Sequence, residues 1–214
     1  ASTVQGFIVT LEILYIVFGA ILLLKIMQES GAFNTIREGL LGISRDRRVQ
    51  AIIIAWLFGS FIESASGFGS TPVICVPILI AIGFPALAAI ITALIIQVPA
   101  STFGAVGTPI LIGLESGLEG LERVQQEVTD LEISLTDYLL RITAETGLLH
   151  GLVSIFVPLF LVIVLTTYFG KQRTWKDGLS IAWFALFAGA AFAIPYSLTA
   201  VFLGPAFPSL LGSL

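Results

Sequence analysis

The stretch ESASGFGSTP, residues 63–72, places a carboxylate beside glycines, hydroxyl groups and a proline within otherwise apolar sequence. The residues on either side, 49–62 and 73–82, are mostly apolar, as in membrane helices. Charged side chains inside a membrane are costly and usually functional. Glu63 could exchange a proton there, and the glycines could leave backbone N–H groups free to bind an anion. The residue types therefore predict proton exchange next to an anion-binding site.

A second stretch repeats this pattern further along the chain. Residues 65–69 read Ala-Ser-Gly-Phe-Gly, residues 100–104 read Ala-Ser-Thr-Phe-Gly, and Thr-Pro follows each of them. Glycine permits unusual backbone conformations, proline suits the first position of a helix, and threonine before it can cap the free N–H groups. Each stretch is therefore predicted to be a broken helix: a loosened turn, a threonine cap and a new half-helix.

The two breaks are predicted to approach each other at mid-membrane depth and to bind an anionic substrate. Unwound backbone inside a membrane is tolerated only where protein buries it or water lines it. Half-helix N-termini in secondary transporters point at anionic groups. The alternative is a packing kink, lined by small residues, without a ligand. The substrate-binding candidates are Ser66, Gly67, Phe68, Gly69, Ser70, Thr71, Gln97, Ser101, Thr102, Phe103, Gly104 and Thr108.

Two carboxylates are candidates for proton coupling. Glu63 lies one helical turn before the first glycine of its break, and Glu12 lies near the outer end of the first apolar run. An interfacial carboxylate that faces water is the alternative for Glu12. His150 is the only histidine, and we expect it to lie at the membrane interface without a proton role.

The elements that position these groups are predicted to be membrane helices. The chain is 57% hydrophobic and 11% charged, whereas soluble domains are about 25% charged. We predict an all-α, polytopic transmembrane protein with broken or re-entrant helices, part of a larger carrier fold. Residues 72–98 fit either one kinked span or a re-entrant hairpin. Apolar runs predict spans at 7–27, 49–62, 86–98, 148–168 and 179–194, the last broken at Pro195, with shorter runs at 72–85 and 103–114.

Charge distribution predicts the orientation of the connecting segments. Lys and Arg mark cytoplasmic loops, so segments 28–48 and 170–176 are placed inside. Segment 114–146 has apolar residues at helical spacing, and we expect one or two amphipathic helices on the extracellular side; a solvated loop is the alternative. Its acidic residues are Glu115, Glu119, Glu122, Glu127, Asp130, Glu132, Asp137 and Glu145.

Other features restrict the class of protein. A net charge of −4 gives no reason to expect nucleic acid as a partner. A single cysteine permits no disulfide within the chain, and we expect neither a cofactor nor a metal site. The only methionine is Met27. We therefore expect residues 1–214 to form a single transmembrane domain that is a fragment of a longer polypeptide.

Several stretches resemble the lactate permease family. They are IIAWLFGSFIESASGFGSTP with RVQ before it, GFPALAAI, FGAVGTPI and the closing GPAFPSLLG. Members of that family are carriers in the cell membrane that take up L-lactate, and often D-lactate or glycolate, with a proton. They are more than twice this long. The resemblance implies a piece of the N-terminal half of such a carrier, with lactate, a proton, the lipid bilayer and the rest of the polypeptide as partners.

The alternatives to a carrier are a serine intramembrane protease, a membrane scaffold and a channel. A serine intramembrane protease needs a serine and a base that face each other, and the chain has one histidine and no Gly-x-Ser-x-Gly motif. A membrane scaffold would show no ligand effect on stability. A channel needs a continuous polar stripe, and the sequence has two local polar clusters. A carrier without enzyme activity is therefore predicted.

Overall fold

The computed structural model describes residues 2–214, with side chains at only some positions of the first two helices. The chain divides between Ile43 and Ser44 into two compact units. The helices are α1 (Ser2–Glu29) and α2 (Ala32–Leu41) in the first unit, and α3 (Arg47–Ser66), α4 (Ser70–Ala81), α5 (Ala86–Ile95), α6 (Pro109–Leu114, continued by Glu115–Leu118), α7 (Glu122–Asp130), α8 (Leu135–Ser154), α9 (Val157–Phe169), α10 (Trp175–Leu179), α11 (Ala182–Phe202) and α12 (Pro208–Ser213) in the second.

Two irregular segments interrupt the second unit. The first break, residues 67–69, separates α3 from α4. The second break, residues 97–108, separates α5 from α6; it contains one α-helical turn (Gln97–Ala100) and one 3-10 turn (Ser101–Phe103). These are the two sites at which the sequence predicts broken helices.

Four helical stretches of the second unit are long and apolar enough to cross a membrane. They are Arg47–Ser66, Ala86–Leu118, Leu135–Phe169 and Ala182–Phe202, and α4 is a shorter apolar helix. The described residues contain no β-strand. The prediction of an all-α, polytopic membrane protein is therefore confirmed.

Helices α4 and α5 form a hairpin against α3. The Thr71 hydroxyl donates to the Gly59 carbonyl at 2.7 Å, and the Cys75 thiol donates to the Ile54 carbonyl at 3.4 Å. Because the later residue of α4 contacts the earlier residue of α3, the two helices are antiparallel. The chain then turns at residues 82–85, and α5 packs along α4. Residues 72–98 therefore form a helical hairpin and not one kinked span, and the re-entrance of this hairpin in the membrane remains a prediction.

The last predicted span is wrong in one respect, because α11 continues through Pro195 to Phe202. Proline removes one backbone donor, which membrane helices tolerate when neighbouring groups satisfy the freed backbone. The chain turns instead at Gly204, which has a φ of +82°.

Segment 114–146 is largely helical rather than a solvated loop. It contains the end of α6, the whole of α7 and the first turns of α8. Helix α8 begins at a capping box, in which the Ser134 hydroxyl accepts the Asp137 N–H at 3.1 Å and the Asp137 carboxylate accepts the Ser134 N–H at 3.2 Å. The helix that contains the start of the predicted span 148–168 begins earlier, at Leu135, and the helical stretch is interrupted between α8 and α9. The side of the membrane on which segment 114–146 lies remains a prediction.

A line of aromatic rings connects α3 to the second break through α11. Trp56 of α3 lies 4.8 Å from Phe192, and Phe192 lies 5.1 Å from Tyr196, measured between ring centroids. Tyr196 lies 5.3 Å from Phe103 of the second break. All four side chains are buried, and tilted or offset ring pairs of this kind stabilise a core. The second break is thereby fixed relative to α3.

Close packing of α8 on α11 predicts a stability effect at Gly147. A Cβ atom there would overlap the Cβ of Ala200, which has no rotamer to relieve the contact. Gly147→Ala in the complete protein is expected to cost about 1–3 kcal/mol, the usual cost of overpacking. Thermal unfolding of the purified protein measures it, with Gly117→Ala as control because the space around Gly117 is open. Equal melting temperatures for both variants would contradict the packing described.

Candidate functional site

The first break is a short left-handed segment between two helices. Gly67, Phe68 and Gly69 have φ values of +63°, +53° and +75°. Gly67 combines that φ with a ψ of −159°, a conformation essentially restricted to glycine. The sequence motif Gly-Phe-Gly therefore encodes the reversal, and the side chain of Phe68 is half exposed.

The Glu63 carboxylate lies over the N-terminus of α4. Its Oε1 accepts the Gly69 N–H at 3.3 Å, and its Oε2 accepts the Thr71 N–H at 3.5 Å. Oε2 also lies 3.1 Å from the Thr71 hydroxyl and 3.4 Å from the side-chain amide nitrogen of Gln97. Glu63 is only 3% exposed. One buried carboxylate thus connects α3, the first break, α4 and the second break.

The prediction of threonine caps is wrong at both breaks. Gly69, not a threonine, is the residue that precedes α4, and the Thr71 hydroxyl donates to the Gly59 carbonyl instead of capping. Thr108 does precede α6, but its hydroxyl donates to the Ala105 carbonyl at 2.6 Å. At α4 the Glu63 carboxylate accepts the N–H groups that a cap would accept, because α3 ends directly above them.

Glu63 has no cationic partner among the residues that the structure describes. It is the only charged residue between Arg48 and Glu115. The single ion pair found in the described part of the chain joins Arg48 and Asp46 at 2.6 Å, near the other end of α3. The hydrogen bond from Arg48 lowers the pKa of Asp46. The Glu63 carboxyl group is therefore surrounded by dipoles alone.

The second break has three consecutive residues in the left-handed region. Ala105, Val106 and Gly107 have φ values of +45°, +55° and +81°. This conformation is strained for a β-branched residue such as Val106. A Cβ atom on Gly107 would overlap the carbonyl of Pro205. The connection between α11 and α12 therefore packs directly on the strained segment and holds it in place.

Side chains from α11 and α12 satisfy backbone carbonyl groups of the second break. The Tyr196 hydroxyl donates to the Pro99 carbonyl at 3.0 Å, and the Ser209 hydroxyl donates to the Ala100 carbonyl at 2.9 Å. Unwound backbone in a membrane protein needs such partners. The sequence interpretation did not identify Tyr196 or Ser209. The one available signal was a tyrosine beside a proline within an apolar run, Pro195-Tyr196.

The two breaks contact each other, as predicted. A Cβ atom on Gly67 would lie 2.7 Å from the Cβ of Ala105, and one on Gly104 would lie 3.2 Å from the backbone oxygen of Glu63. Neither glycine lies in an unbroken helix. The depth of this contact within the membrane remains a prediction.

The other predicted site residues differ in their surroundings. The hydroxyl groups of Ser66 and Ser70 are 2.6 Å apart and half buried, next to the first break. Ser101 is exposed, whereas Phe103 is buried against Tyr196. Glu63, Gly69, Thr71 and Gln97 therefore form one cluster, which we call the carboxylate cluster, and Ser101 and Phe103 are not part of it. Glu12 lies on α1, and its side chain is outside the described residues.

The single histidine contacts the second break. His150 Nδ1 lies 2.9 Å from the Thr102 hydroxyl, and both side chains are half buried. Among the described residues, no serine hydroxyl is paired with the His150 ring. The arrangement of nucleophile and base that a serine protease requires is therefore not formed here.

A cavity of about 620 Å³ opens near the N-terminal end of α3. Its lining includes Arg47, Phe84, Lys171 and Gln172, and it contains no residue of either break. Apart from Asp177, its charged lining residues belong to segments 28–48 and 170–176, which the sequence places on the cytoplasmic side.

The fold and the two contacting breaks define a polytopic helical membrane protein with discontinuous helices, an architecture that secondary transporters use for their binding sites. The chain belongs to the L-lactate permease family, which it matches over residues 1–214. The family resemblance found in the sequence is therefore confirmed.

Curated relatives match the whole chain. It is 31% identical to an L-lactate permease of Halalkalibacterium halodurans, over 37% of that protein's length. It is 32% identical to an L-lactate permease of Escherichia coli K12 and 31% identical to a glycolate permease of the same strain, over 34% of each. The chain thus spans about a third of the length of these relatives. No solved structure matches it.

Proposed function

We propose that the complete protein is a secondary active transporter in the cell membrane that takes up L-lactate and related 2-hydroxy acids, including D-lactate and glycolate, by proton symport. Relatives that match over the full chain are L-lactate permeases and a glycolate permease. The observation that carries the proposal is the Glu63 carboxylate on the N–H groups of α4. Donors that accommodate a side-chain carboxylate are suited to the carboxylate of the substrate.

The carboxylate cluster suggests how anion and proton are coupled. A substrate carboxylate needs the same N–H donors that Glu63 uses, so Glu63 has to give them up when substrate binds. Two unpaired carboxylates close together repel each other, and protonation of Glu63 removes that repulsion. The hydroxyl groups of Ser66 and Ser70 lie beside the break and would bind the 2-hydroxyl group. One anion carried with one proton makes the cycle electroneutral.

Uptake of labelled lactate into vesicles tests the proposal. The complete protein is expected to accumulate lactate when a proton gradient is imposed, and glycolate is expected to compete. A proton-collapsing agent should stop accumulation. Uptake that follows a sodium gradient and ignores the proton gradient would contradict proton symport. The relatives that match the chain are permeases, so no enzyme activity is proposed.

The proposed topology places segment 114–146 outside and segment 170–176 in the cytoplasm. Gln126 and Gln172 are both exposed, so a cysteine at either position is accessible from its own side. In a complete protein otherwise free of cysteine, including Cys75→Ala, we expect a membrane-impermeant reagent added outside to label Gln126→Cys and not Gln172→Cys. Labelling of Gln172→Cys alone would reverse the topology.

A further inference from the structure

The hydroxyl group of Thr71 faces two acceptors and has one hydrogen to donate. The Gly59 carbonyl oxygen lies 2.7 Å from Thr71 Oγ1, and Glu63 Oε2 lies 3.1 Å from it. Thr71 is fully buried, so water is not available as a further donor. When the Thr71 hydroxyl donates its hydrogen to the nearer oxygen, the Gly59 carbonyl, a lone pair on Thr71 Oγ1 faces a lone pair on Glu63 Oε2. A hydrogen on Glu63 converts that repulsion into a hydrogen bond.

No charged side chain of the described chain compensates an ionised Glu63. The elements that pack closely against the last two turns of α3 are α4, the second break and α12. Their only titratable side chain is Cys75, and its thiol donates to the Ile54 carbonyl. An ionised Glu63 would be stabilised only by the Gly69 and Thr71 N–H groups and the Gln97 amide, at 3.3, 3.5 and 3.4 Å, which is longer than hydrogen bonds to an ionised carboxylate usually are. A buried charge without an ionic partner is more costly than a neutral, hydrogen-bonded carboxyl group.

We propose that Glu63 is protonated in this conformation and that Thr71 holds its proton. Glu63 Oε2–H donates to Thr71 Oγ1, and the Thr71 hydroxyl donates to the Gly59 carbonyl. Thr71 is then a positioning residue for the proton on Glu63. This inference rests on the proposed function, in which that proton is carried together with the substrate. In this proton-loaded state Glu63 carries the proton, and its neutral carboxyl group accepts the N–H groups of Gly69 and Thr71.

Infrared difference spectroscopy of the complete protein in lipid vesicles tests the protonation state without transport. The spectrum of the wild-type protein at neutral pH, without substrate, is expected to contain a protonated-carboxyl band that Glu63→Gln removes. Thr71→Val should shift that band to higher frequency, because the hydrogen bond donated by the acid is lost, and Thr71→Ser should leave it in place. A band that Glu63→Gln leaves unchanged, or that Thr71→Val does not shift, would overturn the proposal.

The pH dependence of lactate counterflow provides a second readout. Loss of one hydrogen bond changes an equilibrium constant about tenfold. Half-maximal exchange by Thr71→Val is therefore expected to require a proton concentration about tenfold higher than in the wild-type protein. Thr71→Ser keeps the hydroxyl group and is expected to retain the wild-type profile. A purely structural role for Thr71 would lower the amount of folded protein without moving the profile. An unmoved profile for Thr71→Val would refute the assignment to Thr71.

The two proposals fail in different ways. If vesicles with the wild-type protein accumulate lactate with protons but the spectrum lacks the Glu63 band, the proton-loaded state is wrong and the transport function stands. If the band is present and no 2-hydroxy acid is taken up, the transport function is wrong and the protonated Glu63 stands.

Discussion

Replacing Glu63 with glutamine is expected to abolish proton-driven accumulation of lactate by the complete protein, while exchange of internal for external lactate continues. Glutamine resembles the protonated acid in shape and can donate to Thr71 Oγ1, but it can neither release nor take up a proton. Substrate binding and exchange need only the neutral form of residue 63, whereas accumulation needs both the neutral and the ionised form. The accumulation ratio is expected to fall by at least about tenfold. Accumulation and counterflow in proteoliposomes measure the two activities separately.

The control for this variant is Ser64→Ala. Ser64 is buried on the same helix, and among the described residues its hydroxyl bonds only to the Ser60 carbonyl, so wild-type accumulation is expected. Glu63→Ala gives further information, because it frees the N–H groups of α4. If substrate and Glu63 use the same donors, lactate should bind more tightly to Glu63→Ala than to Glu63→Gln. Normal accumulation by Glu63→Gln would exclude Glu63 as the coupling group and make Glu12 the next candidate.

Gly67→Ala is expected to remove both stability and transport. The new Cβ would lie 2.7 Å from the Cβ of Ala105 and 3.0 Å from its backbone nitrogen. The φ and ψ of Gly67 add strain of about 1–3 kcal/mol for any other residue. Since the breaks contact each other at this point, we expect them to separate and the carboxylate cluster to lose Gln97. Thermal unfolding and lactate uptake of the purified, reconstituted protein measure the two effects.

A second-site change distinguishes the contact from the backbone strain. Ala105→Gly removes the nearest atom that Gly67→Ala would meet and leaves the backbone nitrogen of residue 105 at 3.0 Å. The double variant is therefore expected to recover part of the steric loss and to keep the backbone strain at residue 67. Gly113→Ala is the control, because no atom lies within 4 Å of a Cβ placed there. A Gly67→Ala protein with wild-type melting temperature and uptake would show that the breaks do not need to touch.

Much of the architecture could be predicted because it depends on local properties of the chain. The low content of charged residues indicates a membrane protein, and apolar runs locate most of the spans. Gly-Phe-Gly and Thr-Pro locate both breaks, since the conformation of Gly67 is accessible to glycine and the ring of Pro109 suits the start of a helix. Glu63 was identifiable as a candidate because it is the one charge in a long apolar stretch.

What the sequence by itself determined, then, is the class of protein, the family and the positions of the breaks, and it made Glu63 a candidate for proton coupling. The tertiary structure decided which groups meet. It shows that residues 70–95 form a hairpin, that Glu63 rather than a threonine accepts the N–H groups of α4, and that Tyr196 and Ser209 bond the carbonyl groups of the second break. The physical reason is that backbone conformation follows from neighbouring residues, whereas the partner of a freed donor or acceptor depends on which distant helix packs against it. The carbonyl of Gly59, which accepts the Thr71 hydrogen, carries no signal in its residue type, and only the antiparallel packing of α4 on α3 brings the two together.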